Sequence, residues 1–254
     1  MIYVCSDIHG CYDRFIRLLK RINFTDTDEM YVLGDVIDRN KGGIQILLYI
    51  MEHKKNIHLL MGNHEDFMYQ YLYRKVKYQY YHDVDNYEND FDIWFADCNG
   101  GRVTYEAYKL LDTDTQQEVF KFLSTLPLIV LLEVNGQKYH LSHSATIPNV
   151  LERDTWTFND LTKVERKRIL WDSLYRYDGN MCYTDYPENY ISIFGHVPVQ
   201  CVCDNEKRYY IYKSKNIIDI DSGSAYRELE KDGVNTALSC YCLNTQKVVY
   251  VRDK

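Results

Sequence analysis

Carboxylates and imidazoles recur at three points early in the chain, each time just after a short apolar run. Ser6-Asp7-Ile8-His9-Gly10 follows Ile2 to Cys5. Gly34-Asp35-Val36-Ile37-Asp38-Arg39-Asn40 follows Met30 to Leu33, and Gly62-Asn63-His64-Glu65 follows Ile57 to Met61. Two more histidines come later, in His140-Leu141-Ser142-His143-Ser144 and Phe194-Gly195-His196-Val197-Pro198. One such cluster alone would say little, because an Asp or Asn at a strand end is commonly a helix N-cap. Together they offer Asp7, His9, Asp35, Asn63, His143 and His196. Carboxylate, imidazole and amide oxygen suit borderline or hard divalent ions such as Mn, Fe or Zn. Six donors with one shared carboxylate match two ions. Two ions about 3.5–4 Å apart clamp the attacking and leaving oxygens of a displacement, which is phosphoryl-transfer or ester-hydrolysis chemistry.

The elements that must position these residues alternate between strand and helix. Phe15, Leu18, Leu19 and Ile22 recur at i, i+3, i+4 and i+7, as do Ile44, Leu47, Leu48 and Met51. Strands alternating with helices imply right-handed crossovers and a parallel sheet, whose carboxyl ends form the ligand crevice. Another helix is expected from about His64. Residues from about Tyr71 to Leu126 read as a mostly helical insertion. The pattern then turns to β, with a hairpin at Asn135-Gly136. Further strands are expected over Ile191 to Phe194, Arg208 to Tyr212, Ile217 to Ile220, Thr236 to Leu243 and Lys247 to Val251. The fold class is α/β: two packed mixed β-sheets flanked by helices, with a helical cap over about 71–126, in a single domain spanning 1–254.

Composition narrows the function classes. The 254 residues are 46% hydrophobic and 26% charged, enough apolar surface for a core without disulfides. A net charge of −7 opposes non-specific binding to nucleic acid or anionic membrane. The amino-terminal residues lack a basic segment leading into an apolar run, and no apolar run is long enough to span a bilayer, so the chain reads as cytoplasmic. Its 8 Cys are then mostly reduced thiols. Cys201/Cys203 and Cys240/Cys242 have one intervening residue, which fits buried strand cysteines better than zinc spacing.

The motifs containing Asp7-Ile8-His9, Asp35 to Asn40 and Asn63 to Glu65, in that order, resemble the metal-dependent phosphoprotein phosphatases of the calcineurin-like metallophosphoesterase fold. The segments around His143 and His196 are similar to that family's remaining histidine motifs. Asn99-Gly100-Gly101 with Thr104, Leu170-Trp171-Asp172 and Ile218 to Gly223 resemble stretches of its bacterial branch. The resemblance implies a four-layer sandwich and two divalent ions, with Mn preferred over Fe or Zn. Asp7, His9 and Asp35 would bind one ion, and Asp35, Asn63, His143 and His196 the other. Arg39 and, by looser similarity, Arg176 would grip the substrate phosphate. His64, oriented by Asp38, would protonate the leaving oxygen after direct attack by a metal-bridging hydroxide. The implied substrates are phosphoserine or phosphothreonine proteins, or small phosphoesters.

Two departures stand out. Asn40 replaces the family's usual Gly after the motif arginine; Asn tolerates left-handed backbone, so the turn is expected to survive there. His143-Ser144-Ala145 replaces the usual His-Ala-Gly. A sister branch cleaves dinucleoside tetraphosphates symmetrically, but typically carries Asp where this chain has Glu65 and lacks the counterpart of Asp38. A metal-free scaffold would have lost ligands, and here the set is intact. Within the insertion, Asp83, Asp85, Glu88, Asp90 and Asp92 form an acidic tract that could select basic sequences around a phosphoresidue, although a solvated face is the blander reading. Asp221-Ser222-Gly223-Ser224 could pack beside the site or serve only as a turn.

Overall fold

The apolar stripe Phe15, Leu18, Leu19 is buried along helix α1 (Tyr12–Arg21). Asp13 in its first turn and Lys20 and Arg21 in its last suit the helix dipole. A computed structural model of the chain describes residues 1–81, 93–144, 155–156, 162–173, 189–201, 208–227 and 234–253. Around α1 run β1 (Ile2–Cys5), β2 (Glu29–Val32), α2 (Gly43–Glu52), β3 (Ile57–Leu59) and α3 (Asn63–Tyr81). The helices α4 (Gly101–Lys109) and α5 (Thr113–Ser124) follow, so the described part of the 71–126 stretch is mostly helical, as expected. Asp112 caps α5 by accepting from the Thr115 amide at 2.9 Å.

The second half supplies β4 (Ile129–Val134), β5 (Gln137–Ser142), β6 (Thr155–Trp156), α6 (Lys163–Trp171), β7 (Tyr190–Phe194), β8 (Tyr212–Ser214), β9 (Ile217–Asp219), β10 (Leu238–Cys242) and β11 (Val248–Val251). One mixed sheet has the order β11-β10-β1-β2-β3, with β1, β2 and β3 parallel. The other has the order β6-β4-β5-β7-β9-β8, with β5, β7 and β9 parallel. Val4, Leu33, Leu60 and Tyr241 from the first meet Val130, Leu141, Ile193 and Ile218 from the second in one apolar layer. The opposite face of the first sheet buries Cys5, Met30 and Val32 among residues of α1 and α2 such as Phe15, Leu18 and Leu47.

The β4–β5 hairpin turns at Asn135 (φ 53°) and Gly136 (φ 79°), the two positive φ values a tight hairpin requires. The strand expected over Arg208 to Tyr212 instead begins at Tyr212, because Tyr209 and Tyr210 pack their rings on Tyr250. Cys240 and Cys242 are buried strand residues, whereas Cys201 is exposed in a 3₁₀ turn (Val199–Cys201) and Cys203 lies outside the described residues. Tyr250 on β11 and Arg252 just beyond it turn their carbonyls toward α1, where Arg21 donates to the first at 3.0 Å and Arg17 to the second at 2.7 Å. Among the described residues no helix is long and apolar enough to cross a membrane.

Candidate active site

The parallel pairing of β1 with β2 and β3 brings the three early polar clusters side by side. Backbone bonds then lace them together: the His9 amide donates to the Asp35 carbonyl and the Gly10 amide to the Val36 carbonyl, both at 2.8 Å. Asp7 (φ 52°), His9 (φ 44°), Asp35 (φ 55°), Asp38 (φ 68°), Arg39 (φ 63°) and His196 (φ 76°) all adopt left-handed backbone. Non-glycine residues seldom do so outside sites that the surrounding structure over-determines. The buried Glu65 carboxylate is one such determinant. It accepts from the amides of Asp35 (2.7 Å), Val36 (2.9 Å) and Gly62 (3.0 Å), tying the ends of β2 and β3 together. Asn40 corrects the expectation placed on it. The positive φ falls on Asp38 and Arg39 instead. Asn40 contributes a side-chain amide that donates to the His9 carbonyl at 2.9 Å.

Asp35 is buried at the centre. His9 Nε2 lies 3.4 Å from Oδ2, His64 Nε2 3.8 Å from Oδ2, and His143 Nε2 3.5 Å from Oδ1. Asn63 Oδ1 is 2.8 Å and His196 Nδ1 3.2 Å from His143 Nε2. His9 Nδ1 meets the Ile37 carbonyl at 2.9 Å, and His143 Nδ1 meets the Leu33 carbonyl at 2.7 Å. Each of these two rings thereby uses Nδ1 as donor and turns the lone pair of Nε2 toward Asp35. Burial, aided by Arg39 and His64, holds the His9 imidazole well below its usual pKa; burial and His143 do the same for His196. Neutral imidazole is the form that binds metal. Burial, with Asp7 and Glu65, drives the Asp35 carboxyl up against the opposing pull of His64, a situation that a bound cation reverses.

Two groups, His9/Asp35/His64 and Asp35/His143/His196, could each hold a metal ion. Asp7 stands beside them. Its Oδ2 accepts from Ser6 Oγ and from the His196 amide, while its buried Oδ1 has no partner among the described residues. An orphaned carboxylate oxygen beside lone-pair nitrogens fits a cation site.

On the other flank, His64 Nδ1 lies 2.7 Å from Asp38 Oδ2, and both side chains are buried. The same oxygen accepts from Trp94 Nε1 at 2.8 Å, and the Asp38 amide donates to Thr104 Oγ1 at 2.8 Å. Arg39 turns the opposite way. Its Cζ sits 4.8 Å from the centroid of the Tyr226 ring. Burial disfavours the Arg39 charge, but Tyr226 and the Asp35 and Asp221 carboxylates more than restore it. Trp171 lines the His196 side, its ring 5.8 Å from His196 and 5.3 Å from Phe67.

The structure thus brings together Asp7, His9, Asp35, Asp38, Asn63, His64, His143 and His196, with Arg39 alongside. Arg176, Ala145 and the acidic tract Asp83 to Asp92 lie outside the described residues. Asp221 serves both readings given to it. It is buried close enough for its charge to be felt at Asp7 and Arg39, and its Oδ1 accepts from the Gly223 amide at 2.9 Å as a turn residue does. Sequence reasoning passed over Trp94 and Tyr226. Trp94 has no motif of its own, and its only trace is Gly101, against which its ring packs. Tyr226 is one of 25 tyrosines.

Residues 1–239 match the family model for calcineurin-like phosphoesterases. The chain belongs to this family. Calcineurin-like phosphoesterases are metal-dependent hydrolases that bind two divalent ions. A symmetrical bis(5'-nucleosyl)-tetraphosphatase of Salmonella typhimurium is 39% identical over 64 residues, a stretch covering 25% of this chain and 23% of that relative. A crystal structure assigned as a diadenosine tetraphosphatase superposes with a TM-score of 0.63 at 16% identity, covering 100% of this chain and 93% of that one. A protein serine/threonine phosphatase from Saccharomyces cerevisiae gives 0.54 at 14% identity, covering 100% of this chain and 80% of that one. At these identities the superpositions establish the calcineurin-like fold.

Proposed function

We propose that this phosphoesterase hydrolyses phosphate monoesters with basic leaving groups, phosphoserine and phosphothreonine in proteins above all. The observation that carries the reading is the buried Asp38–His64 pair, 2.7 Å apart. A seryl alkoxide is a poor leaving group unless it receives a proton, and a positioned acid is worth roughly 10²–10⁴-fold. A nucleotide phosphate leaves readily without one. In this reading Asp38 and Trp94 fix the His64 ring, and His64 delivers the proton from Nε2 to the departing oxygen. Arg39 offers its planar fork to the phosphate. Arg176 is a further phosphate ligand on the resemblance alone. Asp7, His9, Asp35, Asn63, His143 and His196 hold two divalent ions, Mn by preference. When bound, the ions polarise the phosphoryl oxygens and lower the pKa of water to supply the nucleophile.

The second reading is symmetrical cleavage of dinucleoside tetraphosphates, favoured by the local 39% identity to enzymes of that name. Specificity constants for a phosphoserine peptide, p-nitrophenyl phosphate and diadenosine tetraphosphate decide between the two. The monoesterase reading expects the peptide to lead and His64→Asn to hurt it most. A preference for diadenosine tetraphosphate that survives His64→Asn would replace it with the second.

A further inference from the structure

Tyr226 supports Arg39, and what supports Tyr226 is a cluster of charges on α1 and at the end of the chain. Two residues before the ring, the Ser224 carbonyl accepts from Arg14 at 3.1 Å and from Cys11 Sγ at 3.2 Å. One residue after it, Arg227 donates to Asp13 at 2.6 Å and to Asp253 Oδ1 at 3.0 Å. Asp253 gathers the same elements: Arg14 donates to its Oδ2 at 3.0 Å and Arg17 to its Oδ1 at 2.7 Å. Arg14 is wholly buried, so Asp253 also neutralises a charge that has left water. Both flanks of the ring therefore end on one clasp of Asp13, Arg14, Arg17, Arg227 and Asp253. A guanidinium stacked on an aromatic face gives up rotamer freedom before a ligand arrives.

We propose that Asp253 is a positioning residue for phosphate capture: by holding Arg14 and Arg227 it seats Tyr226 beneath Arg39 and so aims the guanidinium at the substrate phosphate. The inference rests on the reading of Arg39 given above. Asp253 itself touches no substrate.

The test uses the whole chain, with p-nitrophenyl phosphate turnover, calorimetric titration with inorganic phosphate, and thermal unfolding as a control. Asp253→Asn should raise KM and weaken phosphate binding by about tenfold, the size of one charge-assisted hydrogen bond, with kcat nearly unchanged. Asp253→Glu should recover most of the loss. In a Tyr226→Leu background Asp253→Asn should add nothing, because the ring transmits the effect. Arg227→Gln, a partly exposed member of the clasp, should reproduce the pattern if Asp253→Asn folds poorly. An unchanged KM and phosphate affinity in folded variants would overturn the proposal, as would losses that multiply in the double variant. Failure of the wild-type chain to turn over any phosphate monoester would instead sink the proposed function, and phosphate titration would still judge the clasp.

Discussion

Asp38 and Arg39 are consecutive, and both adopt left-handed backbone, with φ of 68° and 63°. They nevertheless end in opposite situations. Asp38 is engaged through one oxygen: Oδ2 is shared by His64 and Trp94 and the backbone amide is taken by Thr104, while the buried Oδ1 has no partner among the described residues. Arg39 is half-buried on a tyrosine ring, and its Nε has no hydrogen-bond partner among the described residues. Hydrogen bonds orient the first side chain, whereas the face of a tyrosine ring supports the second. In the reading proposed above, this left-handed turn would set a proton-transfer side next to a phosphate-binding side within two residues. Substitutions on the Asp38 side should therefore act on kcat, and those on the Arg39 side on KM.

The largest effect removes what both sides serve. Asp35→Asn should cost about a thousandfold or more in turnover and lower the bound-metal content, read by elemental analysis of the purified protein. His64→Asn should lower kcat by roughly 10²–10³-fold on an alkyl phosphate, with less loss on an aryl phosphate whose leaving group needs no proton and with KM held. Arg39→Lys should do the converse, raising KM about tenfold or more because an ammonium lacks the bidentate fork. Trp94→Phe should lower kcat by about tenfold, by deleting one of the two donors to Asp38 Oδ2, and leave phosphate affinity alone. A Trp94→Phe variant that shifted KM instead would erase the division between the two sides.

The smallest effect is on stability against pH. Burial raises the Asp13 and Asp253 carboxyls, but hydrogen bonds from Arg227 to Asp13, and from Arg14 and Arg17 to Asp253, outweigh it and leave both below the usual 3.8. A depressed folded pKa contributes stability above the unfolded value, and that contribution fades as pH falls through the folded one. The melting temperature of the wild type should thus drop more steeply than that of Asp253→Asn as pH falls from about 5 to below the usual 3.8.

Most of the Asp38 side was legible in sequence, because His64 and Asp38 lie within two of the three strand-end motifs and parallel strands place such motifs together. The hairpin at Asn135-Gly136 was legible for a similarly local reason. Trp94 and Tyr226 were not: each acts through a contact across long sequence separation, and neither neighbourhood has a periodicity that would mark it. Asn40 was misread because a residue that tolerates left-handed backbone need not be the one that adopts it; Asp38 and Arg39 are held there by Thr104 and Gly100. The start of β8 was misplaced because aromatic packing on Tyr250 claimed residues whose composition suits a strand.

The arginines that meet β11 bear on how copies of this chain behave toward one another. An outer strand with vacant carbonyls is a template on which another strand can add, and such addition is how folded β proteins begin to clump. Arg17 and Arg21 donate to the Arg252 and Tyr250 carbonyls along that rim. A second molecule approaching edge-on would meet acceptors already engaged. Guarding this edge is in this way a second duty of the α1 face whose Arg17 also joins the Asp253 clasp.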